Sequence, residues 1–138
     1  MKKSTLLAGF AGFVVFYLLN WVFYGMLSIN DENVSEGAAS LMRDDANMLH
    51  LHLALGQLIM ILVIAHIYGK WARGTHSFMH GLELGAWLGV AFGIGLNLIW
   101  YGTSTMMNMT GALIDGVWQI VALGISTGVI AIVTGKTE

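Results

Sequence analysis

The chain has 138 residues, of which 57% are hydrophobic and 10% charged, with a formal net charge of −2 and a mean hydropathy of +0.73. That balance excludes an ordinary soluble domain and assigns the chain to the membrane class. The absence of cysteine excludes disulfides, thiolate metal sites and cysteine nucleophiles, and the basic residues are too dispersed to hold nucleic acid.

In chain order, four runs reach the roughly 20 apolar residues a helix needs to cross a bilayer: about 5–27, 48–68, 81–102 and 112–133. The opening MKKSTLLAGFAGF resembles a signal peptide. Its apolar run continues to about Leu27 with no small-x-small cleavage site, so it reads as an uncleaved first span ending in LNWVFYG, Leu19 to Gly25. Residues 28–47 form an extracytoplasmic loop in which Asp31, Glu32, Glu36, Asp44 and Asp45 face Arg43 alone. Ser35 is placed to cap a short helix there, with Val34, Ala38, Leu41 and Met42 on one side, suited to lie along the membrane surface. A plain acidic loop is the alternative.

The second span carries Asn47, His50 and Gln57 in its outer half and His66 deeper; it hands over to a loop with Lys70, Trp71, Arg73, His76 and His80 that reads as a surface anchor. The third span opens on Gly81, Gly85, Gly89 and Gly93, a ridge of small residues permitting close helix contact within the bundle or between two copies. It closes on LNLIWYG, Leu96 to Gly102. The fourth span carries Asp115 and Gln119 near its start and Ser126 and Thr127 further in. Proline is absent, which leaves glycine and π-bulges as the sources of any helix irregularity.

Charge placement gives an orientation. Lys2, Lys3, Lys70, Arg73 and Lys136 lie before the first span, between the second and third, and after the fourth, so the positive-inside rule puts both termini in the cytoplasm. Localisation follows as a multi-pass integral membrane protein, of the bacterial inner-membrane type.

The Leu-Asn-x-x-x-Tyr-Gly string ends both spans that run outward, and the returning spans share LALG at Leu53 and VALG at Val121, each finishing on Gly-Lys. This predicts an all-α bundle of four transmembrane helices made of two similar hairpins, a parallel internal duplication about a pseudo-twofold axis.

The polar residues gather at one depth. Asn20 and Tyr24, and Asn97 and Tyr101, are spaced to share a helix face; Asn47, His50 and Gln57 make a stripe on the second span, and Asp115 and Gln119 one on the fourth. Unpaired polar groups cost several kcal/mol in hydrocarbon, so these stripes should turn inward. Two readings stand: interhelical hydrogen bonds that hold the bundle together, or an outward-facing cavity that binds a small polar solute or ion. Asp115 favours the second, because an ionisable group within a span marks a functional site by default. Its place near a helix N-terminus makes it tolerable without one.

His50, His52, Met106 and Met109 are soft or imidazole donors on the outer side and the only candidates for a metal; their spacing does not gather them, so no metal and no cofactor is expected. No phosphate loop, nucleophile elbow, catalytic carboxylate pair or His-Glu protease helix is present, so an enzyme is not expected.

Phe23-Tyr24-Gly25, the glycine ladder of the third span and the final LIDGVWQIVALGISTGVIAIV resemble the small four-helix membrane proteins grouped as domain of unknown function 1761. That resemblance implies a four-helix membrane fold and no known activity. The expectation is a non-enzymatic membrane protein that binds a small polar solute or ion, with transport left open, as a homodimer or alone in the lipid bilayer. The alternative is an accessory subunit of a larger membrane complex, packing through its glycine ridge and aromatic faces.

Overall fold

The computed structural model describes residues 2–138. Among them, four helices are long and apolar enough to cross a membrane: α1 (Lys3–Met26), α3 (His50–Trp71), α4 (Phe78–Thr103) and α5 (Met109–Thr137); a short α2 (Glu36–Leu41) lies in the first loop. At 22 to 29 residues each they measure about 33 to 43 Å, enough for a hydrocarbon core of about 30 Å. The predicted spans fall inside these helices except at 27, the C-cap position of α1, and at 48 and 49, which precede α3. No strand occurs among the described residues, only an isolated antiparallel bridge between Val34 and Met107.

Two π-helical segments interrupt the α geometry, Trp21–Met26 at the end of α1 and Val90–Gly95 within α4. Both lie beside the asparagine of a Leu-Asn-x-x-x-Tyr-Gly string, one just after Asn20 and the other just before Leu96-Asn97. In a chain without proline, π-bulges are the remaining way to change the phase of a long helix.

The four helices form an open row rather than a closed ring. Helix α5 is the centre: half of its apolar stretch is buried (50%), against 33% for α1, 22% for α3 and 17% for α4. It packs along both α1 and α4, while α1 also packs on α3, and α3 and α4 scarcely meet. A twofold axis relating the two hairpins would turn the α1–α5 contact into an α4–α3 contact, so the packing of this chain is not twofold.

The reason lies in where the small residues are. Along α1, Ala8, Gly9 and Gly12 are buried in the first half of the helix. A Cβ at Gly9 would come within 2.7 Å of Leu62 on α3, and one at Gly12 within 3.2 Å of the Ser126 carbonyl on α5. There α1 is wedged between its two neighbours at backbone distance. Further along, Phe16 and Asn20 take over and hold the helices further apart. Accordingly the buried residues of α3, Ile61, Ile64, Ala65 and Tyr68, all lie in its second half, beside the small residues of α1.

From Gly81 to Gly93 the contact between α4 and α5 is close. A Cβ at Gly81 would overlap the Thr127 carbonyl, one at Gly85 the Leu123 carbonyl, one at Gly89 the Ile120 backbone, and one at Gly93 would lie 2.6 Å from the Gly116 carbonyl. The whole ridge therefore faces α5 of the same chain, and the sequence could not choose between that partner and a second copy.

Both termini and the 72–77 turn lie at one end, with Lys2, Lys3, Lys70, Arg73 and Lys136; this is the basic end. Gly74, at φ +85°, makes the reversal that an L side chain would strain. His76 joins this end together: its Nδ1 lies 3.2 Å from the Tyr68 hydroxyl and its Nε2 3.1 Å from Glu138, while Lys2 approaches Glu138 at 3.6 Å. His80 stacks on Trp71 at 4.0 Å.

Candidate functional site

The opposite, acidic end is organised by asparagines in the loops. Asn108 caps α5, its Oδ1 accepting from Gly111 N at 2.8 Å, and donates from Nδ2 to Asn33 Oδ1 at 2.9 Å. Asn33 donates to Asn30 Oδ1 (3.0 Å), and the buried Asn30 donates to the Gly111 carbonyl (2.9 Å). With the Val34–Met107 bridge and a bond from Ser35 N to the Met106 carbonyl (2.9 Å), this chain fastens the first loop onto the third. Ser35 caps α2 as its sequence position suggests, accepting from Ala38 N at 3.2 Å, and Ala38 is buried while Leu41 and Met42 are exposed.

Below these loops lies a polar cluster centred on Asp115. Helix α5 enters the bundle at Met109, so Asp115 sits about 9 Å along it, between the flanking α1 and α4. Tyr24, on the π segment of α1, donates its hydroxyl to Asp115 Oδ1. Asn97 on α4 donates from Nδ2 to Asp115 Oδ2 at 2.6 Å, a short hydrogen bond. Gln119, one turn further along α5, donates to the Tyr24 hydroxyl at 3.1 Å. One carboxylate thus ties three helices together, one oxygen to each neighbour.

Asn20, predicted for the same cluster, is a turn deeper and takes a different partner. Trp118 Nε1 donates to its Oδ1 at 3.0 Å, and its own Nδ2 returns to the Phe16 carbonyl at 3.0 Å. Phe23 stacks flat on Trp118, ring centres 4.3 Å apart and planes 8° from parallel. The aromatic pair covers the lipid side of the cluster, where an apolar groove runs along Phe23, Leu113, Val117, Trp118 and Val121.

The structure thus brings together Tyr24, Asn97, Asp115 and Gln119, with Asn20 adjacent. It does not bring in the second-span stripe. Asn47 stays in the loop, exposed, donating to Asp44 at 2.7 Å. His50 is exposed at the start of α3, and so are His52 and His66. The acidic half of α3 buries no residue, because the wide side chains of α1 hold it away from α5. Gln57 lies on the packed stripe of α3, one turn from Ile61, with its Oε1 buried and without a partner. Tyr101 is 43% exposed and makes no bond to Asp115. It lines a cleft of about 120 Å³ with Asn97, Trp100, Met106, Met107 and Ala112.

For metals, no group of three His, Asp or Glu side chains gathers among the described residues. Met106 and Met109 are exposed, and Met107 packs against Gly111.

An ionised carboxylate offers about four lone-pair sites; two protein donors leave acceptor capacity for a further donor or a cation. The only ion pairs among the described residues join Glu138 to Lys2 and to His76, at the far end of the molecule. Asp115 therefore has no cationic side chain beside it.

Four long apolar helices in an all-helical fold make this a multi-pass membrane protein with a polar cluster inside the spans. No family model matches the chain, and no curated protein or solved structure does.

Proposed function

We propose that the chain is a non-enzymatic membrane protein that binds a small polar solute or ion at the Asp115 cluster, the recognition step that transport across the bilayer would require. One observation carries this reading: a carboxylate inside a span, held by donors from two other helices, keeps free acceptor positions and has no cationic side chain to neutralise it. A purely structural bolt would be served as well by an uncharged amide, which costs less to bury in hydrocarbon. Five of the six basic residues lie at the other end, which supports an orientation with both termini in the cytoplasm and the cluster opening outward.

The test is a thermal-shift screen of the purified protein against small cations, amines, alcohols and amides, repeated with Asp115→Asn. Stabilisation by one chemical class that disappears in Asp115→Asn supports the reading. A class that stabilises both proteins equally sinks it.

The open row favours a second reading, an accessory subunit. The acidic half of α3 and the Leu96–Thr103 segment of α4 bury no residue, so the bundle leaves two apolar faces to be covered by lipid, a second copy or a larger partner. Association would close the row without using the glycine ridge, which α5 already occupies.

A further inference from the structure

The cleft beside the cluster has a chemistry of its own. It is bounded by Trp100 and Tyr101 on the last turns of α4, by Met106 and Met107 of the following loop, and by Ala112 on α5, with Asn97 on the side toward the cluster. Ala112 lies one turn before Asp115 on α5, and Asn97 donates its amide to Asp115 at 2.6 Å. Cleft and carboxylate are thus neighbours, joined through Asn97.

Two of the donors in the cleft are spent, while the Trp100 indole N–H and the Tyr101 hydroxyl have no partner among the described residues. The Asn97 amide is given to Asp115, and Ser104 Oγ donates back to the Trp100 carbonyl at 2.7 Å. No lysine, arginine or histidine occurs anywhere from Asn97 to Asp115. What faces the space is aromatic rings with two neutral donors, thioether sulfurs and oxygen acceptors, with no cationic group. Such walls give an anion no charge partner and favour a cation with an apolar coat, which gains from ring quadrupoles and polarisable sulfur.

The first loop, fastened beside the cleft, adds negative charge. The Val34–Met107 bridge and the Ser35–Met106 bond hold the first loop against two of the lining residues. That loop carries Asp31, Glu32, Glu36, Asp44 and Asp45 with Arg43 as its only base. Acidic groups on a loop fastened beside a low-dielectric cleft raise the local concentration of cations. The volume of about 120 Å³, against the roughly 10–15 Å³ that one water needs on the same measure, leaves room for an ion the size of tetramethylammonium.

We infer that the ligand is a small organic ammonium ion, seated among Trp100, Tyr101 and the two methionines with its charge directed toward Asp115. This rests on the reading of the Asp115 cluster as a binding site and adds the chemical class of what binds.

The experiment uses the full-length protein in nonionic maltoside micelles, titrated with tetramethylammonium chloride and followed by saturation transfer to its methyl protons. Sodium chloride and the neutral isostere tert-butanol serve as comparison probes. Tetramethylammonium should saturate a single site, resist displacement by equimolar sodium and outcompete tert-butanol. Asp115→Asn should weaken it by about tenfold or more, and Trp100→Leu, at an exposed position, by about threefold. If tert-butanol binds as well as tetramethylammonium and Asp115→Asn removes both, the cluster is a binding site and the cationic class is wrong. If sodium displaces the probe one for one and Trp100→Leu changes nothing, the site takes an inorganic cation and the cleft inference falls while the cluster reading survives. If no probe binds, the ammonium inference is overturned, and the thermal-shift screen judges the cluster reading by itself. Should Asp115→Asn fail to fold, the wild-type competition series and Trp100→Leu still decide the outcome.

Discussion

Leu19–Gly25 and Leu96–Gly102 carry the same leucine, asparagine, tyrosine and glycine at the same spacing, yet they meet α5 in opposite ways. From the first copy the tyrosine reaches Asp115 and the asparagine takes Trp118; from the second the asparagine reaches Asp115 and the tyrosine lines the outer cleft. Two symmetric hairpins would use each string alike on its own partner. Here both strings converge on one carboxylate of the central helix from opposite flanks, and the π segment falls after the asparagine in one copy and before it in the other. A repeated string therefore supplies the same chemical groups about one turn apart in depth, and packing around a shared helix decides which of them is used.

The flanks also differ in closeness, and that difference can be broken most severely at the glycine ridge. Gly85→Leu drives a side chain into the Leu123 carbonyl and the Gly124 backbone, neither of which can rotate away. Overpacking of this kind costs about 3 kcal/mol or prevents folding. Gly56→Leu on α3, where a Cβ meets open space, should be neutral or slightly stabilising, since leucine is the better helix former by several tenths of a kcal/mol. Unfolding titrations in mixed micelles would rank the two. Comparable losses at both positions would mean that the α4–α5 contact is not what holds the row together.

A smaller effect separates the tyrosines. Tyr24→Phe removes the bonds to Asp115 and Gln119 and should cost about 1 kcal/mol, the usual scale for a side-chain bond between membrane helices. Tyr101→Phe removes a hydroxyl with no protein partner and should fall within about 0.5 kcal/mol of wild type. The same titrations check both, and equal losses would restore the symmetric picture.

The asparagines give the mirror case, read in binding rather than in stability. Asn20→Leu and Asn97→Leu each lose one interhelical bond, so both should be destabilised by about 1 kcal/mol. Only Asn97→Leu should lower affinity for the ligand found in the thermal-shift screen, because Asn20 points to Trp118. Asp115→Asn keeps the shape of the group and one of its two acceptors, so it should lose one interhelical bond, about 1 kcal/mol, while removing binding.

Much of this was readable before any coordinates. The spans were legible because hydrocarbon tolerates only long apolar helices, and the grouping of Tyr24, Asn97, Asp115 and Gln119 because polar residues in hydrocarbon must find one another at equal depth. The ridge at Gly81, Gly85, Gly89 and Gly93 was legible as a close-contact surface, but its partner was not, since closeness also depends on backbone exposed by the facing helix. The stripe of Asn47, His50 and Gln57 misled for a related reason: periodicity shows which residues share a face, not which way the helix turns that face. Small residues in only one half of α1 decide that here, by letting α3 close at the basic end alone. Asn30 and Asn33 give no sequence signal because loops lack periodicity, although Asn108 just before an apolar helix carries the signature of an N-cap.

The most direct measurement is native mass spectrometry of the chain released gently from the membrane in which it is made, wild type beside Asp115→Asn. A monomer or dimer carrying a reproducible small adduct that disappears in Asp115→Asn is the predicted result. An adduct retained by Asp115→Asn, or an adduct-free chain found only in stoichiometric assembly with larger proteins, would contradict a binding site at Asp115.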